Sequence, residues 1–281
     1  MAGAPVILGV VALAVAVLCY GVAGSRLSAG AQEAGPVLRS ASWWTGTALQ
    51  GGGFLLAFVA RRDLPLLVVQ SAVVAALAVT AVLQQVAGVR RFSRIDALAL
   101  VGTVAGLALL GAATVPGPAG GRESTVLVWS AGLAVVTAAG LLLPPRAWLL
   151  GVLAGVGFSV AAVGARTVVS RLPADWWRFW DLPALVWVVG AVTAAGLLLG
   201  QAHLTRGLAA APAVPVLATM YVTSTVVPAA LGHWLLDERM RAGWGPVAVV
   251  GCGLALAGAL QLLRGERTDG RLSPAGGGPR T

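Results

Sequence analysis

Residues 65–111, PLLVVQSAVVAALAVTAVLQQVAGVRRFSRIDALALVGTVAGLALLG, return in weaker form as residues 212–258, PAVPVLATMYVTSTVVPAALGHWLLDERMRAGWGPVAVVGCGLALAG, at a constant offset of 147. Pro65 falls on Pro212, Val79 on Val226, Arg94 on Arg241, Gly106-Leu-Ala-Leu on Gly253-Leu-Ala-Leu, and Gly111 on Gly258. Ala, Leu, Val and Gly are abundant throughout, so the weight rests on the prolines, the arginines and the glycine spacing. A repeat of this kind inside a hydrophobic chain points to a transporter.

Composition places the chain in a membrane. Of its 281 residues 58% are hydrophobic and 10% charged, against roughly 25% charged in soluble domains. The charges are also segregated: nine runs, 1–25, 40–60, 64–89, 97–121, 124–145, 147–165, 182–205, 207–236 and 242–263, contain no Asp, Glu or Arg. At about 1.5 Å rise per residue, each can cross a hydrocarbon core of roughly 30 Å as a helix. Ten-residue alternating strands are absent, which rejects a barrel and leaves helices to satisfy the backbone. The sequence therefore predicts an all-α polytopic membrane protein of about nine transmembrane helices. The first run has no basic n-region and exceeds a signal core, so it is expected to stay as a helix.

The net charge of +9 does not imply nucleic acid here, because all nineteen basic residues are Arg and they lie outside the apolar runs. With nine spans, residues 26–39, 90–96, 146, 206 and the tail from Arg264 share one side and carry eleven Arg against eight. The positive-inside rule then predicts a multi-pass cell-membrane protein with an external N-terminus and a cytoplasmic C-terminus. The tail, 265–281, is dominated by Gly, Pro and Arg and is expected to be disordered. Cys19 and Cys252 both lie within apolar runs, which points to small buried hydrophobes and to neither a disulfide framework nor a zinc cluster.

Counting helices orients the repeat. The third helix (about 65–87) matches the eighth (about 212–235), and the fourth (about 97–114) matches the ninth (about 245–263). Five helices separate partners, an odd number, so the copies run upside down relative to one another and form an inverted-topology bundle. Extending the match places Trp43-Trp44-Thr45-Gly46 of the second helix against Trp187-Val188-Val189-Gly190 of the seventh. Residues 1–115 thus form a first repeat of four helices and residues 124–264 a second of five.

Trp43-Trp44-Thr45-Gly46, Leu64-Pro65, the basic turn Arg90-Arg91-Phe92-Ser93-Arg94 and the Gly102-x3-Gly106-x4-Gly111 helix resemble the first half of a drug/metabolite transporter of the EamA kind. Leu235-Leu236-Asp237-Glu238-Arg239 followed by Gly251 to Gly258 is similar to the closing helix pair of the second half. The nine-span count and the Trp-Trp-x-Gly start look most like the NIPA-type magnesium transporter branch. The resemblance covers roughly residues 5–264 and implies secondary transport by alternating access, with divalent cation transport implied by the branch. One departure is that Arg91 stands where Glu238 sits in the second copy. Another is that every Asp and Glu falls in a predicted loop or the tail, whereas a hard, hydrated cation usually takes one or two carboxylates. Asp63, Asp175, Asp181, Asp237 and Glu238 stand at the membrane mouths and define no site.

Neutral polar residues are left as candidates for a substrate-binding cavity. Gln70 and Gln84 are fourteen residues apart, about 40° short of four turns, and so share nearly one helix face. Gly46, Gln50 and Gly53 share a face of the second helix. In the eighth, Thr219, Tyr221, Thr223, Ser224 and Thr225 precede Pro228, whose ring removes a backbone hydrogen bond; a helix break is expected there, with the hydroxyls re-satisfying the backbone. His203 and His233 lie near predicted helix ends, where an interfacial hydrogen-bonding role outweighs proton relay. The glycine pairs Gly102/Gly106, Gly151/Gly155 and Gly196/Gly200 read as helix-packing contacts. The aromatic run Trp176, Trp177, Phe179, Trp180 reads as an interfacial belt.

A phosphate-binding loop, a nucleophile elbow and a metal cluster are all missing from the sequence, so neither an enzyme nor a bound cofactor or metal is expected. The expected partners are a small-molecule or cation substrate and membrane lipids, with a homodimer among the oligomeric options and no nucleic acid. Three functional readings stand side by side: a permease of the drug/metabolite or NIPA type, an exporter or flippase of a small organic metabolite or lipid-linked sugar, and a non-transporting membrane scaffold. A polar cavity near the bilayer midplane separates a carrier from a scaffold.

Overall fold

The computed structural model describes residues 3–64, 66–88, 93–115, 123–173, 176–235 and 239–269. Most of the basic turn (90–92), Asp175, Asp237, Glu238 and the tail from residue 270 lie outside these described residues, as do the side chains of Asp63, Gln70 and His233.

Ten α-helices follow one another: α1 Gly3–Gln32, α2 Ala41–Asp63, α3 Leu66–Val74, α4 Ala76–Val86, α5 Arg94–Ala112, α6 Glu123–Ala139, α7 Ala147–Arg171, α8 Ala184–Ala210, α9 Ala213–Leu235 and α10 Gly245–Asp269. Their starts are written locally. Ser40 accepts the amide of Trp43 at 3.0 Å to open α2. Ser93 and Asp96 form a reciprocal capping box that opens α5, each side chain taking the other's backbone amide at 3.1 Å. Asp96 is therefore the third residue of a helix and 6% exposed, not a loop residue as the charge pattern predicts.

Among the described residues, seven helices are long and apolar enough to cross a membrane: α1 and α5 through α10. The protein is accordingly a helical, polytopic membrane protein. The two expected spans outside that set have distinct reasons. Helix α2 has 23 residues, but Trp43, Trp44, Thr45, Thr47, Gln50 and three consecutive glycines dilute its apolarity. The third expected helix is divided at Ala75 into pieces of nine and eleven residues. There the Ala75 amide bonds Ala72 O at 2.9 Å and the Ala78 amide bonds Ala75 O at 3.0 Å, both one residue tighter than α-helical. No proline or glycine marks this turn.

The helix break expected at Pro228 is not found: α9 runs without interruption from Ala213 to Leu235. Only the Ser224 carbonyl loses its partner to the ring. The preceding turns are held by hydroxyl back-bonds, from Thr219 to Pro215 O, Thr223 to Thr219 O and Thr225 to Tyr221 O, each at 2.9 Å. Packing against α7 supports the same stretch.

The packing follows one scheme in both parts of the chain. Helix α1 lies along α2 and also touches α3 and α4; α7 lies along α8 and also touches α9. Helix α1 reaches across to α8, and α2 to α7. Helices α5 and α10 cross antiparallel: the position of a Cβ at Gly258 is 3.0 Å from Thr103 N, one at Gly106 is 2.7 Å from Ala255 N, and one at Gly251 is 2.6 Å from Gly106 O. The two-residue strands β1 (Thr114–Val115) and β2 (Arg239–Met240) pair antiparallel just past this crossing. Without a hydrophobic force between helices in lipid, such close approach supplies the packing energy. The other glycine pairs behave alike. Gly151 and Gly155 admit Thr219 and Thr223 of α9, and Gly196 and Gly200 lie against Val160 and Phe158 of α7. Gly102 is the exception, its nearest neighbour lying 4.0 Å away.

Helix α6 has no counterpart in this scheme and is held on the outside of α7 and α8 at both ends. Arg171 pairs with Glu123 at 2.7 Å at its start. At its end, Arg206 donates to Leu141 O at 3.2 Å and Leu143 O at 3.1 Å. Large apolar side chains such as Leu98, Val128, Leu198 and Val249 stay about 70% exposed on outer faces, where lipid is their natural solvent.

Candidate functional site

A cavity of about 60 Å³ opens where α1, α2 and α3 face α7, α8 and α9. Helices α5, α6 and α10 contribute nothing to its described lining. Most of the wall is apolar, and its distinctive side chains are Tyr20, Gln50, Phe54, Arg61, Phe158 and Tyr221. The chain's two tyrosines both stand here. Gln50 and Tyr221 sit near the middle of their helices, and Arg61, eleven residues after Gln50, lies about 16 Å further along α2.

Small residues set this geometry. The position of a Cβ at Gly46 is 2.8 Å from the Leu27 amide, and one at Gly53 is 3.2 Å from the Tyr20 ring, so α1 can lie close on α2 and bring Tyr20 to the wall. Arg61 is 3% exposed and its guanidinium stands 5.5 Å from the centre of the Phe54 ring. Its main-chain oxygen accepts from Arg166 Nη1 at 3.1 Å. Arg61 Nε and Nη1 and Gln50 Oε1 are buried without any hydrogen-bond partner. Buried polar atoms are nearly always paired, so three orphans on one cavity wall mark a place shaped for something else.

Of the residues expected from sequence, Gln50 and Tyr221 line this cavity, and Ser224 joins them. Gln84 is 4% exposed with an unpaired Oε1, and it lies off the described wall. Thr219 and Thr223 bond their own backbone and pack into Gly151 and Gly155 instead. Tyr20, Phe54 and Arg61 are absent from the sequence-based set. Arg61 was legible only as the edge of an apolar run, since a charge count cannot say that Arg61 turns inward; a helix places Arg62 about 100° away from it.

His203 differs from its expected interfacial position. It is fully buried in α8, and Nε2 stands 2.8 Å from Thr137 O, one of the last four carbonyls of α6, which lack full intrahelical partners. With Arg206 it caps α6, and that structural role accounts for its burial. His203→Leu is expected to destabilise the fold by about 1–3 kcal/mol, since a buried acceptor loses its donor; thermal unfolding in detergent measures it.

Around α7 the aromatic run forms a short 3-10 turn, Trp176–Asp181, closed by an Arg178–Asp181 pair at 2.7 Å. Phe179 and Trp180 stack edge to face at 5.3 Å and are 46% and 61% exposed, as an interfacial belt requires. Among the described residues no group of His, Cys, Asp or Glu could hold a metal ion.

Fold and cavity together define a polytopic helical membrane protein with an open, largely apolar cavity between two groups of helices. No protein-family model, curated protein or solved structure matches the chain.

Proposed function

We propose that this protein is a secondary carrier of the drug/metabolite transporter type that works by alternating access. The observation that carries the reading is the cavity's lining: three helices from each part of the chain, α1, α2 and α3 against α7, α8 and α9, of which the sequence repeat pairs α2 with α8 and α3 with α9. The antiparallel α5–α10 crossing supports an inverted repeat, 1–115 against 124–264, with α6 as the unmatched helix of the second half. Two groups with equivalent packing and opposite orientation can exchange conformations around a fixed central site. In that arrangement α2 and the α3–α4 pair cross the membrane as well, with Ala76, Leu77, Thr80 and Gln84 beside the tight turn buried against neighbouring helices.

Orientation follows from the arginine distribution: N-terminus outside and C-terminus in the cytoplasm of the cell membrane, which puts the Arg61 end of the cavity toward the outer face. Within the superfamily the magnesium branch gains nothing from the cavity, because an unpaired guanidinium on the wall repels a divalent cation. An organic solute suits the aromatic wall better. Proteoliposomes loaded with a mixed pool of organic anions, neutral metabolites and magnesium test the reading. A carrier releases at least one solute faster than protein-free vesicles; equal leakage of every solute leaves only the scaffold reading.

A further inference from the structure

We infer that the cavity takes a small amphipathic monoanion, a carboxylate on an apolar body, and that Arg61 is its anchor. The inference rests on the carrier reading and names the substrate class of the same site.

Arg61 is buried at 3% exposure with Nε and Nη1 unpaired. A guanidinium cannot shed its proton and offers no acceptor of its own, so its donors call for an acceptor in the cavity, which an anionic solute meets better than water. The described wall contains no Asp or Glu to play that part. The neighbouring cation, Arg166, touches the Arg61 backbone and has the same sign, so this end of the cavity attracts anions. The Phe54 ring lies beside the guanidinium, its centre 5.5 Å from Cζ.

Charge and shape narrow the class. Arg61 is the one cation whose side chain lines the described wall and neutralises one negative charge there, whereas a phosphate monoester of about −1.5 to −2 leaves a surplus in an apolar wall. A carboxylate matches in charge and in bidentate geometry. The remaining wall, with Tyr20, Phe158 and Tyr221, is a surface for an aromatic or aliphatic body. Gln50 Oε1, on the same face of α2 three turns before Arg61, awaits a donor, which favours a body with an N–H or hydroxyl away from its carboxylate.

The test is calorimetric titration of the purified full-length protein with indole-3-propionate, 3-phenylpropionate and octanoate, each beside its primary amide, and with magnesium chloride. At least one acid is expected to bind, at least tenfold more tightly than its amide, as loss of a charge-assisted hydrogen bond requires. Arg61→Gln should lose that preference, and Arg61→Lys should retain part of it. Equal binding of acid and amide, full retention in Arg61→Gln, or no response to any acid overturns the proposal. Should Arg61→Gln fail to elute as a folded species, the acid–amide comparison on the unaltered protein and on Arg61→Lys still decides. Acid binding without faster release from proteoliposomes would remove the carrier reading and leave this one; release of a neutral or cationic solute with no acid bound would do the reverse.

Discussion

Gly106→Leu is expected to cost about 3 kcal/mol or more of stability, while Gly102→Leu, one turn earlier in the same motif, stays close to neutral. The position of a Cβ at Gly106 is 2.7 Å from Ala255 N and 3.0 Å from Leu254 Cβ, and it meets Gly251 O still more closely. Two of those neighbours are backbone, so the whole of α10 must move away from α5. Overpacking of this kind typically costs about 1–3 kcal/mol, and more when no flexible side chain can yield. At Gly102 the nearest atom is Leu254 O at 4.0 Å, an ordinary contact. Denaturant unfolding in detergent micelles, followed by tryptophan fluorescence, separates the two variants. Comparable stability of both would mean that α5 and α10 do not cross where the glycines place them.

The opposite sign is expected at Arg61. Arg61→Met removes a buried charge whose Nε and Nη1 have no partner, each worth about 1–3 kcal/mol of unmet desolvation. The loss of its contact with the Phe54 ring offsets roughly 0.5–2 kcal/mol of that gain. Stability without ligand should therefore rise by about 3 kcal/mol at the middle of these ranges, and binding of any carboxylate should disappear. A side chain kept for function at a cost in stability behaves this way, whereas a structural anchor would give a fall of similar size. The bond from Arg166 is made to the main chain and survives the substitution.

These expectations show which parts of the molecule its sequence encodes openly. The helices were legible because charge is excluded from lipid, so Arg and Asp fall at helix ends whatever the packing. Of the glycines that carry the sequence repeat, Gly106 and Gly258 must stay small where α5 meets α10, whereas Gly253 has open space beside it and its match to Gly106 has no packing reason. Gln50 could be picked out because an amide inside an apolar run needs a reason. Thr219 and Thr223 gave the same signal for a different cause: a hydroxyl that back-bonds at a helix interface has the composition of one that faces a cavity. Arg61 carries no signal of its own and His203 reads as interfacial, because position along a helix reveals neither the face nor the neighbour, and both depend on which helices come together. The tight turn at Ala75 has no breaker residue, while Pro228 sits in an unbroken helix; in both cases the surrounding packing decides over local propensity.

The central claim is that one cavity is reached from both sides of the membrane in turn. On a chain with Cys19→Ala and Cys252→Ala, single cysteines are introduced at Ala162, toward the Arg61 end, and at Leu27, toward the other end. A membrane-impermeant maleimide is then added from either face of sealed vesicles. The account predicts that Ala162→Cys reacts from one face and Leu27→Cys from the opposite face, with both reactions slowed by a bound carboxylate. Reaction of both cysteines from a single face, unchanged by any ligand, would contradict it.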